Sequence, residues 1–255
     1  MRGRRWAVAK TIARELRERE GTNLVAVGVY GSVARGEDRE FSDLDLFVVL
    51  RRKRSWIRPM FREGVYVTPS VHTPAEAREE ATGSGPWLCE KLGGWYSMRP
   101  LFDPRRFLSK VATRARHPTA AQFRGSARND LISTYEDYGK VLNAVAAEDA
   151  DDVREMSVWF TGGAGGALLD IEGRAMRTDH EMTAVVRSYG GIGRDILRLR
   201  YTTLPPREAG RLARRIWRGL VERAIERGVS LPPEVTRFAR VARRRGGARE
   251  SPTGR

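Results

Sequence analysis

The chain is nearly free of cysteine: Cys89 is its one thiol in 255 residues. A single thiol excludes an internal disulfide, a cysteine-based zinc cluster and a dithiol redox pair. Histidine is almost as scarce, and His72, His117 and His180 are too scattered to read as a ligand set. No apolar run is long enough to cross a bilayer, and the basic N-terminus lacks the apolar segment of a signal peptide. These absences predict a cytoplasmic protein with no membrane partner. Acidic residues are in deficit too, 32 against 47 lysines and arginines, for a net charge of +15. The excess is mostly arginine, gathered near the start, in "RRKR" from Arg51 to Arg54, and after Arg237, where Glu250 is the lone acid. Such blocks attract polyanions, RNA among them, and repel cations at long range. A solvated arginine-rich surface accounts for them equally well.

What is present begins with 40% apolar residues, enough for one substantial core or two. Apolar positions at helical spacing predict a helix over Trp6 to Glu20, ended by Gly21-Thr22-Asn23. Strands are predicted over Leu24 to Tyr30, Leu44 to Leu50, Gly64 to Thr68 or a little beyond, and Ser97 to Phe102. Thr73-Pro74 reads as a helix start, and Asp103-Pro104 opens another. From Pro118 helical periods dominate: Ala120 to Glu148, Asp152 to Ile171, Asp179 to Tyr189 and Arg207 to Arg227. The expected fold class is α+β: residues 1–117 a domain of a small mixed sheet with helices, 118–236 a helical bundle, and 237–255 a basic, disordered tail. The run "TGGAGGALLD" lacks the Lys-Ser/Thr of a phosphate loop and follows no strand, so its small residues predict close helix packing.

The stretch "VGVYGSVARGEDREFSDLDLFVVL" carries the chemistry. Side chains alternate along a strand, so Asp43 and Asp45 project together while Leu44 and Leu46 turn to the core. Two carboxylates so close repel each other unless a cation joins them, and all-oxygen ligands completed by phosphates suit Mg²⁺. Gly31 at a strand end lets backbone N–H groups approach a phosphate, and a helix beginning there would add its N-terminus. Ser32 adds a hydroxyl, and Arg35 brings charge one turn on. The pattern points to a metal-bound nucleoside triphosphate.

Strand, Gly-Ser, short loop and Ser-Asp-Leu-Asp in an apolar strand together resemble the nucleotidyltransferase superfamily that includes DNA polymerase beta. The same stretch, the later "RPLFD" and the helical second half are similar to the kanamycin (aminoglycoside) nucleotidyltransferases, over about Ala7 to Gly228. The resemblance implies that Ser32 and Arg35 hold the triphosphate of ATP or another NTP, and that Asp43 and Asp45 bind Mg²⁺. It also implies a catalytic glutamate followed four residues later by a phosphate-binding lysine, which "TYEDYGKVLN" offers as Glu136 and Lys140. A homodimer with sites shared between subunits is implied as well. Family members usually carry a third carboxylate on the next strand; Tyr66, Val67 and Thr68 hold none.

The expected reaction is transfer of a nucleoside monophosphate from an NTP to an acceptor hydroxyl, with release of pyrophosphate. The expected acceptor is a small molecule of the aminoglycoside kind, for which Glu76 to Glu80, Glu136 and Asp137 would supply local acid. The alternatives are tRNA or a protein as acceptor, or a non-catalytic nucleotide-binding relative that has lost the third carboxylate. Trp87, Trp95 and Tyr96 are expected in the core rather than on a base or sugar.

Overall fold

A computed structural model describes residues 2–237. Apart from Arg237, the expected basic tail lies outside the described residues. Five strands, β1 (Leu24–Val29), β2 (Leu44–Leu50), β3 (Met60–Arg62), β4 (Val65–His72) and β5 (Arg99–Phe102), form one sheet in the order β3-β4-β2-β1-β5. The sheet is mixed: β2 and β4 run parallel, while β1 pairs antiparallel with both β2 and β5. β4 extends four residues past the expected Thr68, and Pro69 lies beyond its pairing with β3, on a free edge that tolerates a missing N–H.

Alternation along β2 decides what each face of the sheet meets. Leu44, Leu46, Val48 and Leu50 pack with Val8, Ile12 and Leu16 of helix α1 (Arg2–Glu20). Phe47 and Val49, on the face that Asp45 shares, pack under α3 (Pro74–Thr82), α4 (Leu88–Ser97) and α5 (Phe107–Ala115). Thr73 and Glu76 close a capping box at the start of α3, as the Thr-Pro signal predicts. Asp103 accepts from the Phe107 and Ser109 amides, so α5 opens four residues after the aspartate that caps it. Short helix α2 (Gly31–Arg35) leads out of β1.

Among the described residues six α-helices follow: α6 (Ala120–Ala146), α7 (Ala150–Ile171), α8 (Met182–Arg187), α9 (Gly190–Tyr201), α10 (Pro206–Glu226) and α11 (Pro233–Thr236). They share a core built round Tyr138, Phe160 and Trp217, the Tyr138 and Trp217 rings stacked 4.9 Å apart. The glycine-rich stretch lies within α7 and does serve close packing. A Cβ at Gly163 would overlap Thr134 of α6, and one at Gly166 would overlap the Trp87 ring. Sequence periodicity missed α4 and α9, each of which carries two glycines or more.

The start of α4 is held by side chains from the later helices. Asp130 accepts from the Trp87 amide, Ser126 from the Leu88 amide and Asp170 from the Cys89 amide. Asp130 and Asp170 are both fully buried. Burial pushes both carboxyls up, Asp130 to about 9, so Asp130 is neutral at pH 7, and its Oδ2 has no hydrogen-bond partner among the described residues.

Candidate active site

The two aspartates and the Gly-Ser pair meet at one end of the sheet. β1 and β2 are antiparallel neighbours, so the end of β1 at Tyr30-Gly31 lies beside the start of β2 at Asp43-Asp45. The Tyr30 amide donates to the Asp45 carbonyl at 3.2 Å. Gly31 has φ +70°, and a Cβ there would collide with the Asp45 carboxylate, so only glycine fits. The chain turns sharply enough at this point to seat α2 directly over the carboxylates.

The loop between α2 and β2 is fixed by a residue the sequence did not mark. Arg5 of α1, only 7% exposed, donates to Asp38 at 3.0 Å, to the Ser42 carbonyl at 2.9 Å and to the Glu40 carbonyl at 2.6 Å. One buried guanidinium therefore gathers the segment that delivers Phe41, Ser42 and Asp43.

Thr68 of β4 is the register partner of Asp45. Its hydroxyl lies 3.1 Å from Asp43 Oδ2 and 3.2 Å from Asp45 Oδ1, within reach of both. A threonine thus stands where the family's third carboxylate was expected, and a donor hydroxyl replaces an acceptor. Among the described residues no three or more His, Cys, Asp and Glu side chains group to hold a metal ion. Burial first, and then Asp43, push the Asp45 carboxyl up to about 6. Two crowded oxygen donors fit a hard cation whose other ligands come from substrate and water.

These groups open into a cavity of about 750 Å³ lined by Gly31, Ser32, Arg35, Asp43 and Asp45. Its far wall comes from α4, through Glu90, Lys91 and Trp95, and from Arg177 to His180 after α7. Glu37 pairs with Arg35 and with Arg177, each at 2.8 Å, and so ties α2 to that wall. Two expectations are corrected. The Gly31 amide already donates to Ser97 Oγ at 3.1 Å and is not free for a phosphate. Glu136 and Lys140 are not brought to the cavity: they pair with each other at 2.9 Å on an outer face of α6.

The local acid also differs from expectation. Glu76 pairs with Lys53, and Asp137 lies by Lys140, but Glu80, Glu90 and Asp179 do line the cavity. His72, 3.3 Å from Glu80, stacks on Phe47 and touches Ser70 at 2.6 Å. Burial lowers the pKa of His72 and raises that of Glu80. Trp95 is buried against Phe47 as a core residue, although its edge reaches the cavity. Phe41 stands 93% exposed at the mouth. His180 and Phe41 carried no local signal, since each reaches the cavity through loop placement alone.

Residues 9–93 match the nucleotidyltransferase domain family. A solved structure, the nucleotidyltransferase-like protein from Exiguobacterium sibiricum 255-15, aligns with a TM-score of 0.56 over 90% of this chain and 77% of that one, at 9% identity. At that identity the likeness speaks for the fold. No curated protein matches the chain.

Proposed function

We propose that the protein transfers a nucleoside monophosphate from a nucleoside triphosphate to an acceptor hydroxyl. The observation that carries this reading is the crowded Asp43–Asp45 pair beside Gly31, at the mouth of a substrate-sized cavity inside a segment matching the nucleotidyltransferase domain. Asp43 and Asp45 would hold Mg²⁺, which when bound neutralises charge on the transferring and leaving phosphates. Ser32 would donate to the triphosphate. Arg35, kept in place by Glu37, would supply fixed positive charge beside it. Thr68 keeps its hydroxyl between the two carboxylates and limits their rotation.

The acceptor's proton needs a carboxylate on the cavity wall. Within one chain Glu80 is suited to this, with a pKa raised by burial and His72 beside it. Glu136 and Lys140 would enter only from a second copy, the homodimer implied by the resemblance. Mixing a Glu136→Gln chain with an Asp43→Asn chain separates these roles: shared sites regain activity on mixing, and self-contained sites do not.

For the acceptor, Glu80, Glu90 and Asp179 give the cavity local acid within a basic protein, which favours a cationic polyhydroxylic molecule of the aminoglycoside kind. A second reading rests on Thr68: without a third carboxylate the chain binds nucleotide and transfers nothing. The deciding experiment is Mg²⁺-dependent pyrophosphate release from ATP without acceptor, with an aminoglycoside panel and with total tRNA. Release that needs an aminoglycoside supports the first reading down to its substrate. Release with tRNA alone changes the acceptor, and ATP binding without release under any acceptor favours the second reading.

A further inference from the structure

A second concavity, of about 930 Å³, opens at the other end of the same sheet. β1 begins at it with Leu24 and ends near the aspartates, so six strand residues set the two openings roughly 20 Å apart. Its walls carry Arg17 from α1, Arg51 just after β2 and Arg78 from α3. The start and outer face of α5 add Arg105, Lys110 and Arg114. Among the described residues no aspartate or glutamate lines it. Asp103 is close in sequence, but its carboxylate is spent on the Phe107 and Ser109 amides. None of the six cations pairs with a carboxylate among the described residues, whereas Lys53 and Arg54 nearby are both paired.

Two rings complete the surface. The Arg17 guanidinium lies 5.9 Å from the centre of the Phe102 ring, and that of Arg78 lies 5.1 Å from Phe107. The rings are partly buried, each with a guanidinium over it, and offer stacking surface at their exposed parts, while the cations that have no carboxylate partner among the described residues offer phosphate contacts. A flat lipid surface does not reach into a concavity, and an acidic peptide has no flat π-face to lay on the rings. A duplex keeps its bases stacked away from them.

We infer that this groove binds single-stranded nucleic acid, apart from any nucleotide held at the aspartates. The inference does not rest on catalysis at the other end of the sheet.

The test is binding of a short fluorescent single-stranded RNA to the full chain between about 50 and 200 mM salt. Three proteins are compared: the parent, a groove variant (Arg105→Ser, Lys110→Ser, Arg114→Ser), and an equal-charge control on the exposed face of α10 (Arg211→Ser, Arg214→Ser, Arg218→Ser). The groove variant should bind at least about tenfold more weakly, with a log–log salt slope shallower by about 2 for three lost contacts, while the control stays within about threefold. Photo-crosslinking of a thiouridine-bearing RNA to the parent should label peptides spanning 99–114, a readout independent of how the variants fold. Equal losses in both variants would mean that only the general field attracts RNA, and would overturn the inference. So would crosslinks confined elsewhere, or groove-dependent binding of poly-glutamate or anionic vesicles in preference to RNA.

Discussion

Two pairs of neighbouring aspartates in this protein are treated in opposite ways. Asp130 and Asp170 are sealed among α4, α6 and α7, where Asp130 accepts from the Trp87 amide and Asp170 accepts from the Cys89 amide and the Ser126 hydroxyl. Asp43 and Asp45 face a cavity, share one threonine hydroxyl and have no such closure. The first pair lies in the core and caps a helix. The second is left incomplete, so a cation gains by joining it. Residue type is the same in both; the available partners decide which pair builds structure and which is left facing a cavity.

The largest expected difference between the pairs is in activity. Asp43→Asn or Asp45→Asn should lower nucleotidyl transfer by about a thousandfold or more, equivalent to roughly 4 kcal/mol in the barrier, measured as pyrophosphate release. Full activity in either variant would end the assignment. Next is a loss of stability at the other pair. Asp170→Ala strands the Cys89 amide and the Ser126 hydroxyl in the core and should cost about 2–4 kcal/mol by urea unfolding, with the start of α4 loosened.

A smaller effect has the opposite sign. The Asp45 carboxyl is raised from its ordinary 3.8 to about 6, so the folded chain holds that proton more tightly than the unfolded one. The resulting penalty is absent below the ordinary value, grows as pH rises between the two values, and is fully present above about 6. Asp45→Asn should therefore stabilise the metal-free protein at neutral pH by about 1–3 kcal/mol while abolishing activity, and should gain little at pH 4. A variant destabilised at neutral pH would show that the site carboxylate is satisfied after all. The smallest effect is Asp130→Asn. A neutral Asp130 already acts as an amide would, so unfolding free energy should move by no more than about 1 kcal/mol at neutral pH. A loss as large as that of Asp170→Ala would contradict a neutral Asp130.

The same contrast explains what could be read from sequence. Asp43 and Asp45 were legible because strand alternation and a following apolar run are local signals, and Gly31 was legible because a strand ended there. Most strands and the long helices followed for the same reason. Asp130 and Asp170 carried no signal, since each sits in a helix and their meeting depends on how α6 packs on α7. Arg177 to His180, Phe41 and the anchoring Arg5 reach the site region only through tertiary placement. Glu136 and Lys140 show the converse: their four-residue spacing was legible, but it shows only that they share one face of a helix, and in a single chain that face lies outside the cavity lining. Thr68 was one of three positions considered for a third carboxylate, and its hydroxyl reaches both aspartates through the parallel register of β2 and β4.

The most direct test of the central claim is binding of Mn²⁺, as a spectroscopic substitute for Mg²⁺, to the full chain with a non-hydrolysable ATP analogue. It would be followed by electron paramagnetic resonance in the parent and in an Asp43→Asn, Asp45→Asn double variant. The account predicts saturable, nucleotide-dependent binding that weakens as pH falls below about 6 and disappears in the double variant. Equal binding by parent and double variant would place the cation elsewhere and leave the crowded aspartates without the role assigned to them.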